Sequence, residues 1–129
     1  MGKRISVASA KAKGRNLQKW VCKKIAELLG VSWGYEDEAI IKPRPMGQAG
    51  VDVIISEEWR KEIPFSIECK SAENWNVKSA IKQAKANQKK DTTWLLVLKD
   101  KSMKNPVVVL DFIEFFRLLE IIHNGGKID

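Results

Sequence analysis

Two short apolar runs in the middle of the chain carry charged side chains, Val51-Asp52-Val53-Ile54-Ile55 and Phe65-Ser66-Ile67-Glu68-Cys69-Lys70. Side chains alternate along a strand. Val51, Val53 and Ile55 therefore share one face and leave Asp52 on the other. By the same alternation Phe65, Ile67 and Cys69 share a face, with Ser66, Glu68 and Lys70 opposite. If the strands pair as a hairpin, Asp52 and Glu68 converge across the ladder with Lys70 one pleat away. Such a trio is costly in an apolar setting unless something compensates it. A hard divalent cation would do so. Mg²⁺ takes oxygen ligands, keeps several waters and is commonly held by one or two carboxylates plus a substrate phosphate; Mn²⁺ is expected to substitute. The carbonyl of Cys69 is the natural third protein ligand beside Asp52 and Glu68. Such an ion lowers the pKa of an attacking water, which Lys70 would orient or help deprotonate. A plainer reading stays open, in which Asp52 and Lys70 form an ordinary cross-strand ion pair.

The elements that must position these residues follow from periodicity and punctuation. The first dozen residues, 1–12, have few apolar anchors and read as a mobile basic arm; residues 13–129 read as one domain. A helix is expected from about Gly14 to Leu29, with Leu17, Val21, Ile25, Leu28 and Leu29 as its apolar stripe, Gln18 at the stripe's edge and Gly30 as the stop. A strand is expected near Tyr35–Ile41, followed by a loop from Lys42 to Gly50 rich in proline and glycine. After the two charged strands, residues 76–88 are helical in pattern, with Val77, Ile81 and Ala84 on one side. Thr93–Lys99 and Pro106–Leu110 read as strands. A last helix, 111–123, starts at Asp111 with Glu114 as capping-box partner. The fold class is α/β, a mixed central sheet flanked by helices.

The formal net charge is +7, and its distribution points to a polyanion. Residues 1–24 hold Lys3, Arg4, Lys11, Lys13, Arg15, Lys19, Lys23 and Lys24 without an acidic residue, and residues 78–90 likewise hold only basic charges. Lysine and arginine near phosphates release condensed counterions. Lys78, Lys82, Lys85 and Lys89 recur at helical spacing on one face, a fitting backbone contact for DNA; Lys13, Arg15, Lys19 and the loop residue Arg44 extend the expected DNA-binding set. A merely solvated lysine face is the alternative. Cys22 and Cys69 fit no zinc spacing and read as buried thiols. No apolar run is long enough to span a bilayer, and the basic start lacks the apolar stretch of a secretory signal. The expected location is the cytoplasm, with no membrane partner.

In order and spacing, Lys13-Gly14, Gln18, Asp52, Glu68-x-Lys70-Ser71 and Gln83-Ala84 resemble the archaeal-type Holliday junction resolvases of the PD-(D/E)xK nuclease superfamily. The resemblance runs from Lys13 to about Lys99. It implies a restriction-endonuclease-like core, Mg²⁺-dependent phosphodiester hydrolysis, and a homodimer that cuts two strands of branched, four-way DNA. Asp52 and Glu68 become metal ligands, Lys70 the water-positioning base, and Gln83 a helix residue that holds Lys70 or the water. Three departures stand out. Gln18 replaces a first-helix glutamate and stays a candidate catalytic residue, able to bond a metal-bound water through its amide but adding no charge. Val51 replaces the proline usual before the aspartate, and the 42–50 loop has no serine. Two other functions stay open: a related phage-type or restriction-like nuclease acting on duplex, nicked or end-containing DNA, and a non-catalytic basic DNA-binding protein.

The last helix is apolar around most of its circumference, through Phe112, Ile113, Phe115, Phe116, Leu118, Leu119, Ile121 and Ile122. A surface helix buries one side, so a second apolar side is expected to meet a partner subunit in a two-fold dimer; full internal burial is the alternative. Of Trp20, Trp33, Trp59, Trp75 and Trp94, most are expected in the core or an interface, with Trp75 a possible stacking platform for a sugar or base.

Overall fold

The computed structural model of the chain describes residues 7–126, with side chains from residue 11 onward. The element order is α1 (Val7–Leu29), β1 (Ile41–Pro43), β2 (Val53–Ile55), β3 (Phe65–Ser71), α2 (Val77–Ala86), β4 (Thr93–Lys99), β5 (Val107–Leu110) and α3 (Phe112–His123), with a short 3₁₀ turn at Glu57–Trp59. The strands form one five-stranded sheet in sequence order. The β1–β2, β2–β3 and β4–β5 pairs are antiparallel, whereas β3 and β4 run parallel because α2 carries the chain across between them. The fold is thus a mixed α/β sheet with three flanking helices.

Each sheet face has its own cover. Leu17, Val21, Cys22 and Ala26 of α1 pack on Ile41, Val53, Ile55, Ile67, Cys69 and Val97. On the other face Ala80 and Ala84 of α2 pack on Trp94, Leu96 and Leu98. Burial on both sides explains why β4 is a nearly unbroken apolar run. Alanine at both α2 contact points lets that helix lie close to the sheet. Cys22 and Cys69 are buried free thiols, as expected, and burial pushes the Cys22 thiol up to about 12.

Several boundaries differ from expectation. Helix α1 begins at Val7, one to two turns before Gly14, because Ala8, Ala10, Lys11 and Ala12 are strong helix formers even without an apolar stripe. Residues 1–6 of the expected arm lie outside the described residues. Leu28 is 77% exposed and leaves the predicted stripe. Gly30, at φ +69°, ends the helix as expected: the Val31 N–H donates to the Ala26 carbonyl at 3.1 Å, closing a Schellman-type turn. Strand β1 starts only at Ile41 and includes Pro43, a residue that an edge strand tolerates. Asp111 caps α3 through Ile113, but Glu114 does not complete a capping box. Its carboxylate instead accepts from Arg117 and from the Thr93 hydroxyl. Trp75 is half-buried and packs against the α2-side core. No helix among the described residues is long and apolar enough to cross a membrane.

Candidate active site

The site forms where β2 and β3 part. Their ladder holds a single register pair, Val53 opposite Ile67, and the Asp52 N–H still reaches the Ile67 carbonyl at 3.0 Å. Beyond Ile67 the β2-side edge of β3 meets a side chain in place of a strand: the Asp52 carboxylate accepts from the Cys69 N–H at 2.8 Å. In a strand the N–H and C=O of one residue point to the same side. The Cys69 carbonyl is therefore directed to the same edge as Asp52, where the sequence expectation needs it.

Glu68, Lys70 and Ser66 project from the α2 face of β3, as the alternation predicts. Glu68 is 2% exposed and Asp52 3%. From α2, spaced one turn apart, Gln83 and Asn87 reach back to the strand. The Lys70 ammonium donates to Gln83 Oε1 at 2.8 Å, so the expected Lys70–Gln83 partnership is present. Asn87 Nδ2 donates to Glu68 Oε1 at 2.8 Å. The sequence reading missed Asn87, although its spacing of four from Gln83 puts both on one helix face. Ser66 ties the end of α2 to β4, accepting from the Lys89 N–H at 2.9 Å and contacting the Thr92 hydroxyl at 2.6 Å.

Burial pushes the Glu68 carboxyl up to about 7, aided by the negative charge and hydrogen bonding of Asp52 beside it; the Asn87 amide and the Lys70 ammonium pull the other way. Two buried acids in contact thus raise one another's need for positive charge. Part of it is supplied by Arg44, whose guanidinium meets Asp52 Oδ1 through Nε at 3.1 Å and Nη2 at 2.9 Å. Among the described residues no three His, Cys, Asp or Glu side chains cluster. A cation at this place would rest on two carboxylates with backbone and solvent oxygens, the mixture that Mg²⁺ favours.

The remaining expected residues scatter around this centre. Gln18 lines a groove of about 260 Å³ with Lys11, Arg15, Arg44 and Met46; the bonds to the two carboxylates come from Arg44, Cys69 and Asn87, not from Gln18. Arg15 contacts the Met46 sulfur at 3.6 Å. Lys13 lines a separate cavity of about 340 Å³ with Trp20, Ser71 and the 99–106 turn. Lys19 lies over the Tyr35 ring at 5.9 Å. Lys78, Lys82 and Lys85 are exposed on α2, with the Lys85 ammonium 6.0 Å from the Trp94 ring centre. Lys89 is half-buried, and burial with the nearby Arg60 charge lowers its pKa. Arg44 departs most from expectation, since its guanidinium is directed at Asp52.

Comparison with protein-family models, curated proteins and solved structures finds no match for this chain.

Proposed function

We propose that the chain is a Mg²⁺-dependent, structure-selective DNA endonuclease with a restriction-endonuclease-like core, acting on four-way junctions as a homodimer. The observation that carries this reading is the placement of buried Asp52 and Glu68 at the β2–β3 fork, with Cys69 backbone between them and Lys70 on the next outward position. Asp52, Glu68 and the Cys69 carbonyl would hold the cation. When bound, that ion supplies Lewis-acid chemistry at the phosphodiester and eases loss of a proton from the attacking water.

The chain's own residues do the rest. Gln83 fixes the Lys70 ammonium through a neutral amide oxygen, so the charge is oriented without being neutralised. Lys70 can then position a water and meet the developing phosphate charge. Asn87 holds Glu68 Oε1 and so orients the carboxylate. The exposed Lys78 and Lys82 rise beside the site on α2, in reach of a phosphate backbone. Apolar Phe112, Ile113, Phe116 and Ile122 of α3, all exposed, supply a surface for a second copy, and two copies would present two sites for two strands.

The test is cleavage of four-way junction, nicked, single-stranded and linear duplex DNA, with Mg²⁺ and with chelator, followed by mapping of the products. Asp52→Asn should abolish cleavage while binding persists. Cleavage by this variant at the wild-type rate removes the assignment. Preference for duplex or nicked DNA over junctions would keep the nuclease and discard the junction.

A further inference from the structure

Arg44 is held at both ends. Its backbone N–H donates to the Asp52 carbonyl at 2.9 Å, and its guanidinium grips the Asp52 carboxylate through Nε and Nη2 while Nη1 reaches the Gln48 carbonyl. Pro43 and Pro45 flank it, restricting the backbone to extended geometry. Only the side chain is therefore free to move. It has somewhere to go: the Arg44 side chain is 30% exposed against 4% for Asp52, and it opens onto the groove lined by Lys11, Arg15 and Gln18.

That geometry sets up a competition. Oδ2 of Asp52 accepts from the Cys69 N–H and Oδ1 from Arg44, so a cation taking Oδ1 as a ligand meets the guanidinium there. A guanidinium and a divalent cation at one oxygen repel each other, and more strongly in a site with little solvent. We propose that Arg44 is an exchangeable internal counter-ion: it neutralises Asp52 in the metal-free protein, yields Oδ1 to a divalent cation, and swings into the α1 groove, where with Lys11 and Arg15 it meets a DNA phosphate. This rests on the reading of Asp52 and Glu68 as cation ligands. Arg44 is then a positioning residue that makes cation binding and DNA binding mutually supportive, because phosphate stabilises the released guanidinium.

The test is calorimetric titration of the full chain with Mn²⁺ alone, without DNA. Arg44→Ala should bind Mn²⁺ on the order of tenfold more tightly than wild type, and the gain should vanish in the Arg44→Ala, Asp52→Asn double variant. Equal or weaker binding by Arg44→Ala overturns the exchange and leaves the cation site standing. Absence of Mn²⁺ binding in both proteins overturns the site and the exchange together. A second measurement needs no variant. In wild-type protein the Arg44 Nε–H resonance should be protected from solvent exchange and lose that protection as Mg²⁺ is added. Retained protection while the Glu68 carboxyl resonance shifts with Mg²⁺ overturns the exchange.

Discussion

Glu68 is the residue at which structure and function pull hardest against each other. Its carboxyl, pushed up to about 7 by burial and by Asp52, prefers the protonated form in the folded chain far more than an unfolded glutamate does. The folded state therefore binds more protons than the unfolded one between pH 4.5 and 7, and stability falls as pH rises through that window. Above pH 7 the whole penalty is present. Glu68→Gln removes it, so the variant should melt several degrees above wild type at pH 8, the gap closing towards pH 5, as read by thermal scans in chelator. The same logic makes cation uptake by wild type strengthen from pH 6 to 8, since ligation needs the deprotonated acid. Gln83 poses a smaller question. Gln83→Ala frees the Lys70 ammonium from its anchor, and single-turnover cleavage should slow on the order of tenfold with DNA affinity unchanged. The shared face of Glu68 and Lys70 and the opposite pointing of Asp52 and Val53 were readable from the sequence because strand alternation fixes them, whereas Gln83 was expected only from the resemblance to the resolvases. Arg44 was not readable in this role, because only the closure of the 44–50 loop brings its guanidinium to Asp52.

At the scale of elements, α2 does most of the positioning. Ala80 and Ala84 let it lie close against β4, and that closeness carries Gln83 and Asn87 within hydrogen-bonding distance of β3. Its outward side then decides what the lysines do. Lys78, Lys82 and Lys85 are exposed, the Lys85 ammonium lying over the Trp94 ring, and Lys89 is half-buried. Replacing Lys78 and Lys82 with alanine should weaken DNA binding across sequences and lower the slope of log affinity against log salt by roughly one per lost contact. Lys85→Ala should change that slope less. Equal slopes in all three proteins, measured by fluorescence anisotropy over a salt series, would make the row a solubility feature. Strands β3 and β4 were legible because they are buried on both faces and long for this chain. Strand β1 was not, since three residues ending in proline at a sheet edge leave no alternation to read. The start of α1 was missed for a related reason: its first two turns owe their helicity to alanine and lysine propensity, not to an apolar stripe.

At the scale of the whole molecule, the described residues form three α-helices against two sheet faces, and α1 and α2 occupy both. Helix α3 follows β5 with Glu114 its one buried residue. Phe112, Ile113 and Ile122 are each more than 70% exposed, and Val107 and Val108 of β5 lie open as well. An apolar face of this extent on a small domain is a liability unless another surface covers it, and β5 is in addition an edge strand of the sheet. A second copy offers the one complement the chain itself encodes, in a self-complementary two-fold pairing. The carboxyl interior of α3 argues for a fixed platform here, because Glu114 is clamped by Arg117 and Thr93 and anchors the helix to β4. Sedimentation should therefore give a dimer for the wild-type chain. Ile113→Glu with Phe116→Glu should give a folded monomer, since neither side chain is part of the core and both changes favour water. That monomer should keep its Mn²⁺ affinity, because the proposed ligands Asp52 and Glu68 meet within one copy, yet nick a four-way junction on one strand at a time in place of paired cuts. A monomeric wild type at micromolar concentration, or paired cutting by the double variant, would detach α3 from strand pairing and leave its apolar face to another partner.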